Sequence, residues 1–134
     1  MKSKQMINGN KGESSVLPIF KKHGYWCHNF AKSSSGAQPV DVVGLKKNTN
    51  WLVDVKYIRA EDASFPISRI EPNQWACFDY ARNFAGIENL GIVICSERND
   101  LKPLFISYDK LLEMKEKGQK SIKISDLEGL EELL

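Results

Sequence analysis

Residues 40–58 read VDVVGLKKNTNWLVDVKYI, two Val-rich segments joined by a short polar stretch. Residues 40–45 and 51–58 have the β-branched and aromatic content that is typical of strands. Residues 46–50, KKNTN, are rich in turn-forming side chains and predict a hairpin loop between these strands. The strands also contain charged residues, at positions where a half-buried sheet normally carries apolar side chains. These charges are the first candidates for a functional site.

The charged residues of the hairpin have the composition of a catalytic centre. Asp54 and Lys56 are two positions apart on a strand, so their side chains share one face of the sheet. Asp41 lies in the preceding strand and can meet Asp54 across the hairpin, and Glu13 enters from the first predicted helix. Three carboxylates around one point suit a hard divalent cation such as Mg²⁺, with Lys56 stabilising negative charge on a phosphate. The alternative is a structural Asp54–Lys56 ion pair with Asp41 at a strand end.

The rest of the chain predicts one α/β domain, residues 1–134, with a mixed β-sheet flanked by helices. Residues 1–11 are polar and predict a flexible basic arm, and residues 31–39 predict a flexible loop. Hydrophobic periodicity predicts further elements in the order helix 12–23, strand 25–31, helix 72–84, strand 89–95, strand 104–108, a short helix around 111–114, edge strand 121–124 and a final acidic helix capped by Ser125 or Asp126.

Composition limits the class of protein. The chain has 134 residues, of which 42% are hydrophobic and 27% charged, which is typical of one soluble globular domain. It has neither a run of about 20 apolar residues nor an apolar signal core at its start, so we expect a cytoplasmic protein of a bacterial, archaeal or phage-infected cell and no membrane partner. Cys27, Cys77 and Cys95 are odd in number and show no CxxC spacing, which argues against a disulfide framework.

Charge is distributed unevenly along the chain. Residues 1–60 contain ten Lys or Arg and three acids, whereas residues 61–134 contain nine basic and fourteen acidic side chains. A strongly basic half indicates a surface that faces a polyanion, although solvated lysines would give the same count. Trp26, Trp51 and Trp75 could stack on bases, but tryptophans of small domains are more often in the core.

Two motifs resemble those of known nucleases. Pro39-Val40-Asp41 followed by Asp54-Val55-Lys56 resembles the motif of the PD-(D/E)XK nuclease superfamily. The following segment 64–74, SFPISRIEPNQ, resembles the stretch after the catalytic strand in the RecU family of Holliday junction resolvases. Residues 85–87, AGI, and 120–122, KSI, are also similar to that family. Together these segments span most of residues 38–125.

The resemblance implies a restriction-endonuclease-like fold and a dimeric, Mg²⁺-dependent resolvase, with Mn²⁺ as a substitute metal, that nicks opposing strands of four-way DNA junctions. It places the chemistry on Glu13, Asp41, Asp54, Lys56 and Gln74, and the metal on Glu13, Asp41, Asp54 and Val55. The candidate DNA contacts are Lys2, Lys4, Lys11, Lys32, Ser33, Ser34, Ser35, Lys46 and Lys47.

The sequence departs from the RecU pattern in two ways. Asp54 stands where that family usually has Glu, and residues 31–39 are too short for the RecU stalk. In compactness the chain is closer to the archaeal Hjc resolvases, which have a flexible serine-bearing loop at this place. Ser33, Ser34 and Ser35 could form such a loop, and the alternative is that they are only a linker. A duplex-cutting endonuclease of the restriction or repair type and a non-catalytic module that binds branched DNA remain the alternatives.

Overall fold

The fold is an α/β sandwich around one mixed sheet. The computed structural model describes residues 15–30 and 40–134. Its helices are α1 (15–22), α2 (Pro72–Asn83) and α3 (Tyr108–Lys117). Its strands are β1 (Trp26–Asn29), β2 (Val42–Lys46), β3 (Thr49–Ile58), β4 (Ser64–Pro66), β5 (Asn89–Ser96), β6 (Pro103–Ser107), β7 (Ser121–Lys123) and β8 (Glu128–Gly129).

Six strands form the main sheet in the order β1-β2-β3-β5-β6-β8. Strands β1 to β3 are an antiparallel meander, and β3 runs parallel to β5 through the crossover that contains α2. Strand β5, NLGIVICS, is almost wholly buried, as expected for an apolar strand at the centre of a sheet covered on both faces. The predicted mixed sheet with flanking helices is therefore confirmed.

The helices cover the two faces of the sheet with two separate cores. On one face, Val16 and Phe20 of α1 pack with Trp51 and Val53 of β3. On the other face, α2 and α3 pack against a core that includes Ile58. Alternate residues of β3 thus enter different cores, which follows from the two-residue period of a strand. Asp54 and Lys56 have the parity of Ile58 and so lie on the α2 face.

The hairpin between β2 and β3 is tighter than the sequence predicted. Strand β2 continues to Lys46 and β3 begins at Thr49, so the turn consists of Lys47 and Asn48 rather than residues 46–50. Asn48 has a φ of 65°, a left-handed conformation that asparagine tolerates better than most residues. The shorter turn lengthens the paired strands on which the candidate site is built.

Two predictions for the connecting and C-terminal segments were wrong. The connection 59–69 contains β4, which pairs with β7 and buries Phe65 completely. The predicted acidic helix at the C-terminus is instead β8 and a 3₁₀ turn, Glu131–Leu133. Pairing of β8 with β6 brings the fully buried Leu130 into the α1-side core, and this long-range burial outweighs the local helical preference of the acidic residues.

Two further sequence expectations concern cysteines and membranes. All three cysteines are free, as expected, but only Cys95 is buried and the other two are half-buried. No helix within residues 15–30 and 40–134 has the length and apolar character that crossing a membrane requires.

The central strand pair tolerates no side chain at Gly91. A Cβ atom there would lie 2.2 Å from the backbone oxygen of Ile106, whereas at Gly44 the nearest atom is a ring carbon of Phe20 at 2.7 Å. We expect Gly91→Ala to lower the free energy of unfolding by about 1–3 kcal/mol or more, and by more than Gly44→Ala, because a backbone carbonyl moves only with its strand. Urea denaturation of both variants tests this order, and wild-type stability of Gly91→Ala would contradict it.

Candidate active site

The meander brings Asp41 and Asp54 face to face. The ladder of β2 and β3 ends at the pair of Val42 and Val53, and the carboxyl of Asp41, one residue before β2, interacts with the carboxyl of Asp54. The backbone of Asp41 is fixed on both sides, since its N–H donates to the oxygen of Val53 at 3.1 Å and its carbonyl accepts from the N–H of Phe30 at 2.8 Å. Its carboxylate oxygen Oδ2 accepts a hydrogen bond from the N–H of Val55 at 2.8 Å. One oxygen of Asp41 is thus held by β3 itself.

Asp54 is the most constrained charge of the site. Its side chain is 2% exposed, and the Nζ atom of Lys56 lies 3.0 Å from Oδ2. Among the described residues, however, no donor reaches that buried oxygen with hydrogen-bond geometry. Burial, as the largest cause, and the neighbouring carboxyl of Asp41 together raise the pKa of Asp54 to about 8, although the ammonium of Lys56 lowers it. Without a bound cation, Asp54 is therefore a poor place for a negative charge.

Gln74 links the site to the start of α2. Its Oε1 atom accepts from the N–H of Glu71 at 2.9 Å and from Nζ of Lys56 at 3.3 Å. Glu71 and Gln74 form a capping box, and Pro72 occupies the first turn, where its missing N–H costs nothing. Gln74 is 5% exposed, so it is a buried partner of Lys56, as expected of a residue that faces the site.

Arg69 is a site neighbour that the sequence analysis did not select. Its Nη1 atom donates to the backbone oxygen of Tyr57 at 3.0 Å, one residue beyond Lys56. Burial lowers the pKa of Arg69, while the charges of Asp62 and Asp54 raise it. In the sequence, Arg69 is distinguished only by its position in the SFPISR segment, and the family resemblance assigns it no role. It adds a second cation beside the carboxylate pair.

Several predicted site residues lie outside the described part of the chain. They are Glu13 and the candidate DNA contacts Lys2, Lys4, Lys11, Lys32, Ser33, Ser34 and Ser35. The described part of α1 begins at Ser15, whose hydroxyl lies 3.7 Å from Sγ of Cys95 in β5. Within residues 15–30 and 40–134, no group of three or more His, Cys, Asp or Glu is placed to hold a metal ion. The described carboxylates at the site are Asp41 and Asp54.

The two described lysines of the predicted DNA contacts lie at the far end of the hairpin. Lys46 donates to the carbonyl of His23 at 2.9 Å and its ammonium lies 5.2 Å from the ring centre of Tyr25. It therefore ties the hairpin to the end of α1. Lys47 is exposed in the turn. Both lie about 17 Å or more from Asp41 along β2, estimated from the rise per residue.

The donor set fits a hard divalent cation. Asp41 and Asp54 offer carboxylate oxygens at one point, and the buried Oδ2 of Asp54 lacks a hydrogen-bond donor among the described residues. Oxygen ligands are those that Mg²⁺ and Mn²⁺ prefer. A cation between the two carboxylates would also remove the repulsion that raises the pKa of Asp54.

The raised pKa of Asp54 predicts a pH-dependent stability of the metal-free protein. The carboxyl has an ordinary pKa of 3.8 and a pKa of about 8 in the fold, so the folded state binds its proton more tightly than the unfolded chain does. The contribution of Asp54 to stability is therefore greatest below about pH 4 and is lost as the pH rises towards 8. Asp54→Asn should remove this dependence and stabilise the protein at neutral pH.

Urea unfolding in EDTA, from about pH 5 to about pH 8.5, measures this difference between Asp54→Asn and wild type. The stability gain of Asp54→Asn over wild type should increase with pH. The exposed Asp126→Asn is the matched control and should show no such increase. A gain that is constant with pH would show that the Asp54 carboxyl is already ionised at pH 5.

The fold is similar to that of a known resolvase. The chain matches the structure of Hjc, a Holliday junction resolvase from the archaeal hyperthermophile Archaeoglobus fulgidus, with a TM-score of 0.60 and 20% sequence identity. The match covers 92% of this chain and 95% of the Hjc chain. A scan against protein-family models and a search of curated proteins find no significant match. The comparison establishes that this chain has the Hjc-like α/β fold, whereas the resemblance to RecU stays a prediction.

Proposed function

We propose that the protein is a metal-dependent endonuclease that nicks opposing strands of four-way DNA junctions. The observation that carries this proposal is the grouping of Asp41, just before β2, with Asp54 and Lys56 on the paired strand β3 of an Hjc-like fold. A structural ion pair would need only one carboxylate beside Lys56. The second carboxylate favours a site for a cation, as does the buried Oδ2 of Asp54, which Lys56 approaches without completing a hydrogen bond of good geometry.

Asp41 and Asp54 would hold Mg²⁺, or Mn²⁺ in its place, and the sequence motif adds Val55 and Glu13 to this set. When bound, such a cation lowers the pKa of a coordinated water and stabilises negative charge on a phosphate. The shorter side chain of Asp54, in place of the usual Glu, brings its carboxylate one methylene closer to β3. The hydrogen bond from Val55 to Asp41 keeps that carboxylate turned toward its partner.

Lys56 and Gln74 would act on the reacting phosphate. The side chain of Lys56 is 14% exposed and its ammonium is shared between Asp54 and Gln74, so its position is fixed before substrate binds. A fixed cation stabilises the charge that develops on the phosphate during attack by water. Gln74 is a positioning residue in this scheme, because its amide oxygen holds Lys56 while its place in α2 is set by the capping box.

DNA binding would rest on the basic half of the chain. Phosphate contacts by its lysines predict affinity that falls steeply with salt. Lys46 is already engaged with His23 and Tyr25, so Lys47 is the better candidate of the two at the hairpin. Arg69 is influenced by the charge of Asp54 and would be the cation that contacts the phosphate next to the cleaved bond.

We propose that the functional unit is a homodimer joined through α2. Paired nicks in opposing strands require two sites related by a twofold axis. Tyr80 and Phe84 are 65% and 78% exposed, and their rings stack at 5.0 Å near the end of α2. Adjacent aromatic rings that are this exposed mark an interaction surface.

Strand cleavage of a labelled four-way junction, beside a linear duplex of the same sequence, tests the proposed activity. Wild type should give symmetric nicks in the junction that require Mg²⁺ or Mn²⁺. Asp54→Asn and Lys56→Ala should bind the junction and lose cleavage by about 10²-fold or more, because each removes a charge at the reacting phosphate. Asp126→Asn and Lys117→Ala change exposed charges away from the site and should cleave at the wild-type rate.

Each of three other results would contradict the proposed function or the proposed site. Equal cutting of junction and duplex would indicate a duplex endonuclease of the restriction or repair type. Tight junction binding without cutting at any metal concentration would indicate a binding module. Cleavage at the wild-type rate by Asp54→Asn would show that the site lies elsewhere.

The dimer makes a separate prediction. A Tyr80→Ser, Phe84→Ser double variant should sediment as a monomer at concentrations where wild type is a dimer, because the buried aromatic area is lost. Leu112→Ser on α3, where Leu112 is 41% exposed, is the control and should leave the dimer intact. A monomeric wild type, or a double variant that is still dimeric, would exclude α2 as the interface.

A further inference from the structure

Strand β1 carries a row of aromatic side chains on the face that holds the carboxylates. Trp26 pairs with Leu45 and His28 with Val43, and the same register sets Phe30 opposite Asp41. The N–H of Phe30 donates to the carbonyl of Asp41 at 2.8 Å. Since side chains of directly opposed residues share a face, the aromatic row and the Asp41–Asp54 pair lie on one surface of the sheet.

The row is ordered and becomes more exposed with distance from the site. The rings of Trp26 and His28 are nearly parallel, with an angle of 11° and centroids 6.2 Å apart, and His28 contacts Phe30 edge-on at 4.9 Å. Phe30 packs against the α2-side core, whereas Trp26 is 62% exposed and the facing Leu45 is 39% exposed. Within the part of the chain that the structure describes, α2 therefore covers Phe30 but not Trp26.

Trp26 is the exception among the three tryptophans. Trp51 is 4% exposed in the α1-side core, and Trp75 packs against the other core with the ammonium of Lys115 over its ring at 4.7 Å. Exposing an indole forgoes much of the free energy that its burial would contribute. A tryptophan with a purely structural role is expected to contribute to a core, as Trp51 and Trp75 do.

The surroundings of the row are basic. The described strands β1 and β2, and β3 up to Val53, contain no acidic residue, and Lys47 is exposed in the β2–β3 turn at the Trp26 end of the row, whereas Lys46 points to the α1 face. The row lies on β1, which is an outer strand of the main sheet and pairs with β2 in the described chain. Beyond the Asp41–Asp54 pair at its inner end, this aromatic surface has no carboxylate from β1, β2 or β3 up to Val53, and with Lys47 at its outer end it complements a polyanion that also presents flat apolar rings.

We propose that the exposed indole of Trp26, held in place by the ring of His28 stacked against it, is a stacking platform for unpaired bases of the DNA strand that enters the Asp41–Asp54 site. The proposal rests on the proposed nuclease function and names how that site would hold its substrate. From Phe30 to Trp26 the strand extends about 13 Å, the length of roughly four stacked nucleotides. Bases stacked on the row would thus lead to the carboxylates, while Lys47 contacts the backbone.

A second copy of the chain is the competing occupant of this face. Two β1 strands that paired edge to edge would bring the lysines of both hairpins into one sheet, with no described acid on β1 or β2 to offset them. The exposed, stacked rings of Tyr80 and Phe84 already offer an aromatic surface through which two copies could associate. Charge therefore favours nucleic acid as the occupant of the β1 row.

Equilibrium binding of a short oligodeoxythymidine in EDTA tests the platform without cleavage. We expect Trp26→Ala to weaken binding about tenfold and Trp26→Phe to keep most of the affinity, because stacking needs only an aromatic face. An oligonucleotide of abasic residues, with all its phosphates, should bind wild type and Trp26→Ala equally. Oligodeoxythymidine should quench tryptophan emission in wild type but much less in Trp26→Phe.

The controls separate this proposal from the proposed function. Leu112→Ala, an exposed apolar residue on α3, should bind oligodeoxythymidine like wild type. If Trp26→Ala binds it as tightly as wild type while the junction is still cleaved, the platform is overturned and the nuclease stands. If wild type neither binds nor cleaves the junction, both fail. If Trp26→Ala changes the oligomeric mass instead of the affinity, the face joins copies of the chain.

Discussion

The close approach of Asp41 and Asp54 in a buried position is the constraint on which the rest of the site depends. Two carboxylates that share a desolvated point repel each other, and burial raises the pKa of Asp54 to about 8. Lys56 offsets part of this cost, and Gln74 in turn holds Lys56. A position with this electrostatic penalty persists only on a rigid frame, which β3 provides by pairing with β2 on one side and β5 on the other.

Much of this frame could be predicted from the sequence because its signals are local. The Val-rich strands and the parity of Asp54 and Lys56 identified the hairpin and the face of the sheet, and hydrophobic periodicity identified α2. Gln74 came from the resemblance of its segment to a nuclease family. The Hjc-like fold and the contact of Gln74 with Lys56 agree with these predictions. The metal itself and the role of Glu13 stay predictions.

The sequence analysis failed where long-range pairing decides the structure. Strand β4 is short and forms only because β7, far along the chain, pairs with it and covers Phe65. The C-terminal segment has acidic helix-forming residues, yet burial of Leu130 and pairing with β6 make it a strand and a turn. Arg69 was missed for the same reason, because its contact with Tyr57 depends on how the segment after β4 folds back.

Metal binding by the intact protein is the most direct test of the central claim, because it needs neither DNA nor cleavage. Calorimetric titration with Mn²⁺ at neutral pH should show binding by wild type, loss of binding by Asp41→Asn and by Asp54→Asn, and unchanged binding by Asp126→Asn. This result would establish that the paired carboxylates form a cation site. Absence of binding by wild type, or equal binding by wild type and both site variants, would contradict it and leave Asp54 and Lys56 as a structural ion pair.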